Sequence, residues 1–474
     1  MTVKTSVGET ESETVNDLIL QGETLAPLIC SSFVDSTGKE CLEEGKYLYK
    51  YRDKVRVPPL SLIDDRIGFA KCGIESVELN AYLNVKSNIK KLQYNSEKCF
   101  KMHVGKKVDD CPELKINSWK VRDVENVVTS EYELCDEISD EVPLSDVEDQ
   151  KYLGEILSSN AKNHENIRKQ KEKGYIIINQ INKILENGFF GKYFFKAAIL
   201  LRESLFLNSI LLNCEVWTDI SEKDLKELPS LDNSLLRNIL KCPKFTSVPM
   251  MFLDLGIIQI KYIIMQSRLM FLYYLLRQNE NSLLYQCFKA QTQEKLPGDW
   301  ICQVEKDFEL LKIDMTYDQI RLCTKFTFQK YIKEKNHKIA FQSLMKEKSN
   351  QSKCSNVKFG RLDIQEYLKT SSLTTHQKKI LFQMRTGTFP VFTNIKFLVK
   401  DTLCPCCLLF EDTMEHQLRC AVINSNTKLI CKNRMSISDV FSSQVEKQIN
   451  ITIIFEQAIR GRKIILNHIK TDDQ

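Results

Sequence analysis

The sequence predicts an α+β chain dominated by helix. Three observations carry this. Gly and Pro number only 16 and 11 in 474 residues, too few for a turn-rich all-β fold. Short β-type runs alternate with helical patterns only over the first 160 residues. From about residue 161 onward, apolar residues recur at helical spacing almost without interruption. With 43% hydrophobic and 27% charged residues the chain can bury real cores. Its length suits about three domains at a prior of roughly 150 residues each.

Taken in order, residues 1–160 read as mixed α/β. The apolar residues around Val57 to Ala70 and the run "KYLGEIL" at 151–157 suit strands, and "ESVELNAYLNVKSNIKKL", Glu75 to Leu92, suits a helix. The acidic stretch 123–150 has little periodicity and reads as a surface loop. Residues 161–320 read as helical. "NIRKQKEKGYIIINQINKILENG" ends on Gly188, a C-cap signal. "FKAAILLRESLFLNSILLNCEVW", Phe195 to Trp217, reads as one long buried helix. "SEKDLKELPSLDNSLLRNIL" opens with Ser221 and Asp224 three residues on, a capping pattern. A basic helical segment follows at 321–402, then a cysteine–histidine cluster at 403–422, then a helical segment over 423–474.

Charge is unevenly spread. Asp123 to Gln150 holds 11 Asp or Glu and no Lys or Arg, whereas Arg321 to Lys400 holds 17 Lys or Arg against 4 acids. The second block carries +13, which suits either a polyanion such as RNA or DNA or a solvated helical surface whose lysines keep the protein soluble. The opening "MTVKTSVGETESETVND" is polar, and no apolar run reaches the ~18 residues of a membrane span. The expectation is a nuclear or cytoplasmic protein, neither secreted nor membrane-bound. Its 17 cysteines are then reduced thiols, and clustered ones are metal ligands before they are disulfides.

One such cluster is "CPCCLLFEDTMEHQLRC". Cys404 and Cys407 have the two-residue gap that lets two thiolates reach one ion from a tight turn. His416 and Cys420 lie four apart, on one face of a helical turn. Together they suit a closed structural zinc site. Cys406 is an extra thiol, but its one-residue gap from Cys404 bends the chelate.

The pair Asp64–Asp65 lies between two apolar runs in "VPPLSLIDDRIGFAKCG". Acidic residues are common in turns, where their short side chains bond the local backbone. Carboxylates at a rigid hairpin tip also suit Mg²⁺ in phosphoryl transfer.

The order of short motifs favours the second reading. The series "QGETLAPLICS", "PPLSLIDD", "YNSEKC" and "YLGE" resembles the palm of reverse transcriptases from non-LTR retrotransposons, the LINE elements. "ILLNCEVW", "LLRNILKCPKFTSVPMMFLDLGIIQI" and "CPCCLLFEDTMEHQLRC" look like the thumb and C-terminal region of that family. The resemblance covers about residues 1 to 425. It implies a partial palm over 1–160, a helical thumb over 161–320, a basic helical linker over 321–402 and a CCHC zinc knuckle over 403–422.

The activity implied is RNA-directed DNA polymerase. Asp64 and Asp65 would be the catalytic pair holding Mg²⁺. Gln21 and Gly22 would lie near the incoming nucleotide and template, Lys98 beside the nucleotide's phosphates, and Tyr152, Leu153 and Gly154 near the primer terminus. The thumb would grip the duplex, and the basic block and knuckle would contact RNA template or target DNA. Deoxynucleoside triphosphates are the only small substrates implied.

Two departures shape the expectation. The family's third carboxylate lies on a strand before the "QG" motif, and only 20 residues precede Gln21. The fingers are missing as well, and Arg66 follows the aspartate pair where the family has an apolar residue. The sequence therefore predicts a truncated LINE reverse transcriptase, inactive alone. One alternative is a non-enzymatic RNA- or DNA-binding protein built on thumb, basic block and knuckle; a third reading is a helical structural or interaction protein that merely contains a zinc knuckle.

Overall fold

The computed structural model describes residues 4–5, 8–9, 26–62, 65–89, 94–105, 112–118, 140–161, 163–218, 222–351, 354, 356–394, 401–423, 437–442 and 444–472. Of the described residues, 61% are helical and 9% lie in strands. It divides into two compact units, one of residues 1–162 and 278–296, the other of 163–277 and 297–474.

The first unit runs β1 (Lys4–Thr5), β2 (Gly8–Glu9), α1 (Ala26–Glu44), β3 (Tyr49–Tyr51), β4 (Val55–Val57), β5 (Leu60–Leu62), β6 (Asp65–Ile67), α2 (Gly73–Ile89), β7 (Phe100–Lys101), β8 (Lys115–Ser118), β9 (Asp140–Pro143), β10 (Ser145–Asp146), β11 (Asp149–Tyr152) and β12 (Glu155–Ser158). Among the described residues these strands form only two-stranded pairings, all antiparallel except β7–β10. The acidic stretch read as a loop contributes strands at its C-terminal end. β9 pairs with β8, with Val142 opposite Ile116, and Asp149 and Gln150 open β11, which pairs with β12. Residues 119–139 lie outside the described residues.

In the second unit, α3 (His164–Asn187), α4 (Phe194–Leu201), α5 (Asn208–Ile210), α6 (Glu222–Leu240), α7 (Val248–Leu255) and α8 (Ile260–Leu276) come first. Next in the chain is α9 (Leu283–Gln293), which belongs to the first unit. There Cys287 and Ala290 pack on Val55 and Val57. The second unit continues with α10 (Trp300–Leu311), α11 (Tyr317–Leu322), α12 (Lys325–Ser349), α13 (Glu366–Lys369), α14 (Thr375–Arg385), α15 (Met414–Arg419) and α16 (Val445–Asp472).

α3 buries Ile167, Ile177, Ile178, Ile181 and Leu185, a helical stripe against α6. Its Gly188 is the C-cap, in an extended conformation, with its N–H donating to the Ile184 carbonyl. The segment expected as one helix from 195 to 217 is broken instead. A wider π-type turn spans Arg202–Leu207, and Asn213 adopts a left-handed φ of 55°. The π turn carries the Arg202 guanidinium, which grips Asp232 with two bonds of 2.7 and 2.6 Å and reaches the Ile258 carbonyl at 3.1 Å. Such bulges recur where a side chain must be re-aimed.

Two more buried pairs repeat this device. Arg268 holds Asp307 at 2.6 Å and the Trp217 carbonyl at 3.0 Å. Arg385 on α14 holds Asp254 on α7 at 3.2 and 3.1 Å, and Tyr367 donates to the same carboxylate at 2.6 Å. Burial and the neighbouring Asp254 push the Tyr367 hydroxyl well above its usual pKa, so it stays a donor. The α7–α13 approach needs glycine. Gly256 ends α7 at φ +67°, and a Cβ there would meet the Asp363 backbone at 2.2 Å.

One continuous hydrophobic core runs through the second unit, from Ile167 on α3 to Phe455 on α16. Among the described residues no single helix is long and apolar enough to cross a membrane.

Candidate metal centre

The chain turns at Cys404–Cys407 because short-range backbone bonds fold it there. The Leu408 N–H donates to the Cys404 carbonyl at 2.8 Å, and the Cys404 N–H donates to the Phe410 carbonyl at 2.7 Å. Leu408 takes a left-handed φ of 57°, a conformation that costs a branched residue energy unless its surroundings enforce it. Thr413 then caps α15, accepting from the His416 N–H at 3.0 Å. Cys420 closes the same helix, its N–H bonded to the His416 carbonyl at 2.7 Å.

The result brings all four predicted donors together. Cys404, Cys407, His416 and Cys420 offer donor atoms that all lie within 4.8 Å of one another, and the group can hold a metal ion. Cys407 Sγ and His416 Nε2 are 3.3 Å apart, which marks Nε2 as the facing ring nitrogen. Cys404 and Cys420 are buried and pack with Ile423 against Ala458 of α16, while Cys407 and His416 are partly exposed.

Burial pushes the Cys404 thiol up to about 12, with Cys420 adding to the rise. Burial also works against the Cys407 thiolate, but the N–H groups of Leu409 and Phe410 outweigh it and pull that thiol down. A cation among these sulfurs would favour the thiolate at every position.

An anchor that the spacing did not reveal is Asp412, fully buried beneath the loop. It accepts from the Phe392 N–H at 2.7 Å and from the Gln417 amide. Its carbonyl accepts from the Thr393 hydroxyl at 2.8 Å. These bonds fix the loop to the 389–394 segment. An Asp beside Glu411 in the loop carries no sequence signal that it, rather than its neighbour, is buried.

The residues assigned by resemblance to polymerase chemistry lie in the first unit. Gln21, Gly22 and Asp64 lie outside the described residues. Asp65 opens β6 and pairs across the hairpin with Leu62, with its side chain exposed. α1 lies against this hairpin through Gly38, where a Cβ would stand 3.0 Å from the Pro59 carbonyl. Arg66 donates to Tyr94 at 3.2 Å and to Thr37 at 3.4 Å, tying the hairpin to α1.

Lys98 is exposed at the end of a short turn, Ser96–Lys98, that Asn95 caps by accepting from the Glu97 N–H at 3.0 Å. Local capping thus accounts for Asn95 in the "YNSEKC" motif. "YLGE" is the tip of the β11–β12 hairpin. Tyr152 pairs with Glu155, and Leu153 and Gly154 turn the chain with φ of 48° and 90°. Two positive φ values in a two-residue loop are what a tight hairpin matched to strand twist requires. Burial raises the Tyr152 hydroxyl pKa, and the nearby Asp65 carboxylate adds to it.

No family model matches this chain, and no curated protein matches it.

Proposed function

We propose that the chain is a nucleic-acid-binding protein of LINE reverse-transcriptase type, with a zinc ion in the Cys404–Cys407–His416–Cys420 cluster. The observation that carries this reading is the four-donor cluster, set in the same unit as the +13 segment Arg321 to Lys400.

Three thiolates and one imidazole are the soft and borderline donors that zinc prefers. Zn–S bonds of about 2.3 Å and Zn–N bonds of about 2.0 Å at tetrahedral angles need donor separations of about 3.5–3.8 Å. The observed spacing suits that with small side-chain rotations. Zinc would cross-link the Cys404–Cys407 turn to α15 and, with four protein ligands, leave no open position for a substrate.

Its ligand would be RNA or DNA, drawn by phosphate charge. Equilibrium binding to RNA and DNA over a salt series tests the reading. Affinity should fall steeply as salt rises. Absence of binding at about 150 mM salt would sink it. Elemental analysis should give one zinc per chain, lost in Cys404→Ser.

A second reading, RNA-directed DNA polymerase, draws on the exposed Asp65 carboxylate at the start of β6. Here Asp64 and Asp65 would hold Mg²⁺ while a primer 3′-hydroxyl attacks the α-phosphate of a deoxynucleoside triphosphate and pyrophosphate leaves. Primer extension on an RNA template with Mg²⁺ discriminates the two. Synthesis abolished by Asp64→Asn and by Asp65→Asn would favour the polymerase; no synthesis alongside tight binding would favour the binder.

A further inference from the structure

The four donors of the metal centre come from two pieces of chain. Cys404 and Cys407 lie in a turn, whereas His416 lies on α15 and Cys420 caps its end. α15 has only six residues, and a helix that short does not hold itself in place in water. Leu418 packs into the main core and sets which side of α15 faces inward. The reach from α15 to the cysteine turn needs a separate device.

Asp412 stands at that joint, fully buried. Its N–H donates to the carbonyl of Thr402, two residues before Cys404, at 2.7 Å. One carboxylate oxygen accepts from the side-chain amide of Gln417, the α15 residue next to His416. The other accepts from the Phe392 N–H at 2.7 Å. Thr393 completes the set, its hydroxyl and its N–H both donating to the Asp412 carbonyl, at 2.8 and 3.3 Å. One buried residue therefore bonds to the chain entering the cysteine turn, to the histidine helix and to the segment that follows α14.

Buried bonds of this kind resist displacement. A carboxylate pulled out of them loses its partners without regaining water. Gln417 is itself only 2% exposed, so its amide is under the same constraint. Moving α15 away from the turn would break the Gln417 bond or drag Asp412 off Phe392. The bond thus limits how far His416 and Cys420 can drift from Cys404 and Cys407.

We propose that Asp412 is a positioning residue for the metal ion. Through Gln417 it sets the spacing of the two donor pairs, and with it the affinity and the coordination geometry. This rests on the zinc reading above and adds to it a residue outside the ligand set.

The test uses the full chain, with zinc affinity read by competition against a chromogenic chelator and coordination geometry read from the visible spectrum of bound cobalt(II). Asp412→Asn keeps the shape of the side chain but puts an NH2 group where one oxygen accepts, so a buried bond is lost. It should weaken binding of both metals by about 10- to 100-fold, the range for groups that orient metal ligands. The thiolate charge-transfer band should keep the intensity of three sulfurs, while the ligand-field bands shift. Gln417→Met removes the same bond from its other end and should shift them likewise. In the double variant the two affinity losses should not add, because both report one bond. Glu411→Gln, beside Asp412 but exposed, should match the wild type in both readouts.

Thermal unfolding checks that each variant folds, and should Asp412→Asn fail to fold, Gln417→Met decides alone. Wild-type affinity and unshifted bands in the folded variants would overturn the positioning role while the zinc reading stands. Affinity losses that add, with unshifted bands, would mean general destabilisation and would also overturn it. A wild type that binds neither metal would overturn both.

Discussion

The two units solve the burial problem in different ways. The second is organised around one large core and three buried Arg–Asp pairs, each anchoring helices far apart in sequence. Among its described residues the first unit has two-stranded pairings and a small cluster of Val55, Val57 and Ala290. Its ion pairs are exposed or partly exposed, as with Lys71–Asp53 and Lys86–Glu40. A two-stranded hairpin is marginal by itself in water, whereas a packed helical core supports its own structure. The difference teaches where single changes should matter.

The largest effect should come from breaking a buried pair. Asp254→Ala leaves the Arg385 guanidinium buried without its partner and removes the Tyr367 acceptor, at a cost of about 3–5 kcal/mol in urea unfolding. Asp53→Ala in the first unit removes an ion pair that is shorter, at 2.6 Å, but exposed, and should leave the unfolding midpoint unchanged. Equal effects at both sites would erase the contrast. Next comes the core itself: Leu236→Ala should destabilise by about 2–5 kcal/mol. Val57→Ala removes fewer methyl groups from a smaller cluster and should cost less.

A third test sharpens the contrast within the second unit. Cys404→Ser, or chelation of the ion, should release amide protection around residues 403–423 and beside Ala458. It should leave exchange in α1 and α2 as it was. Spread of the effect into the first unit would contradict the division.

The smallest effect is a pH dependence. Burial pushes the Lys379 ammonium down from 10.5 to about 8, even though the Phe194 ring lies 4.4 Å beneath it. The folded pKa is then below the unfolded one, so between these values the unfolded chain binds more protons. Stability should therefore rise with pH from about 8 to 10.5. In Lys379→Met that part of the rise should disappear when urea midpoints are compared across this range.

Much of the helical organisation was legible because its signals are local. The Ile177–Ile181–Leu185 stripe of α3 and the four-residue gap between His416 and Cys420 can be read without knowing any distant residue. The break after Leu201 was not legible. Its run of apolar residues looks continuous, and the π turn there carries Arg202, whose partner Asp232 lies 30 positions away. The "YLGE" motif was read as strand, yet Gly154 marks a turn that the strand pairing on both sides requires.

The sequence by itself determined which segments are helical, where the basic charge lies and which four residues are spaced to share an ion. Those properties depend on neighbours within a few positions. Only the tertiary structure decided that α9 joins Val55 and Val57 and that Asp412 is buried under the metal loop. The reason is desolvation. A buried charge or polar group must find its partner wherever the packed chain places one, and that choice depends on contacts that no local pattern encodes.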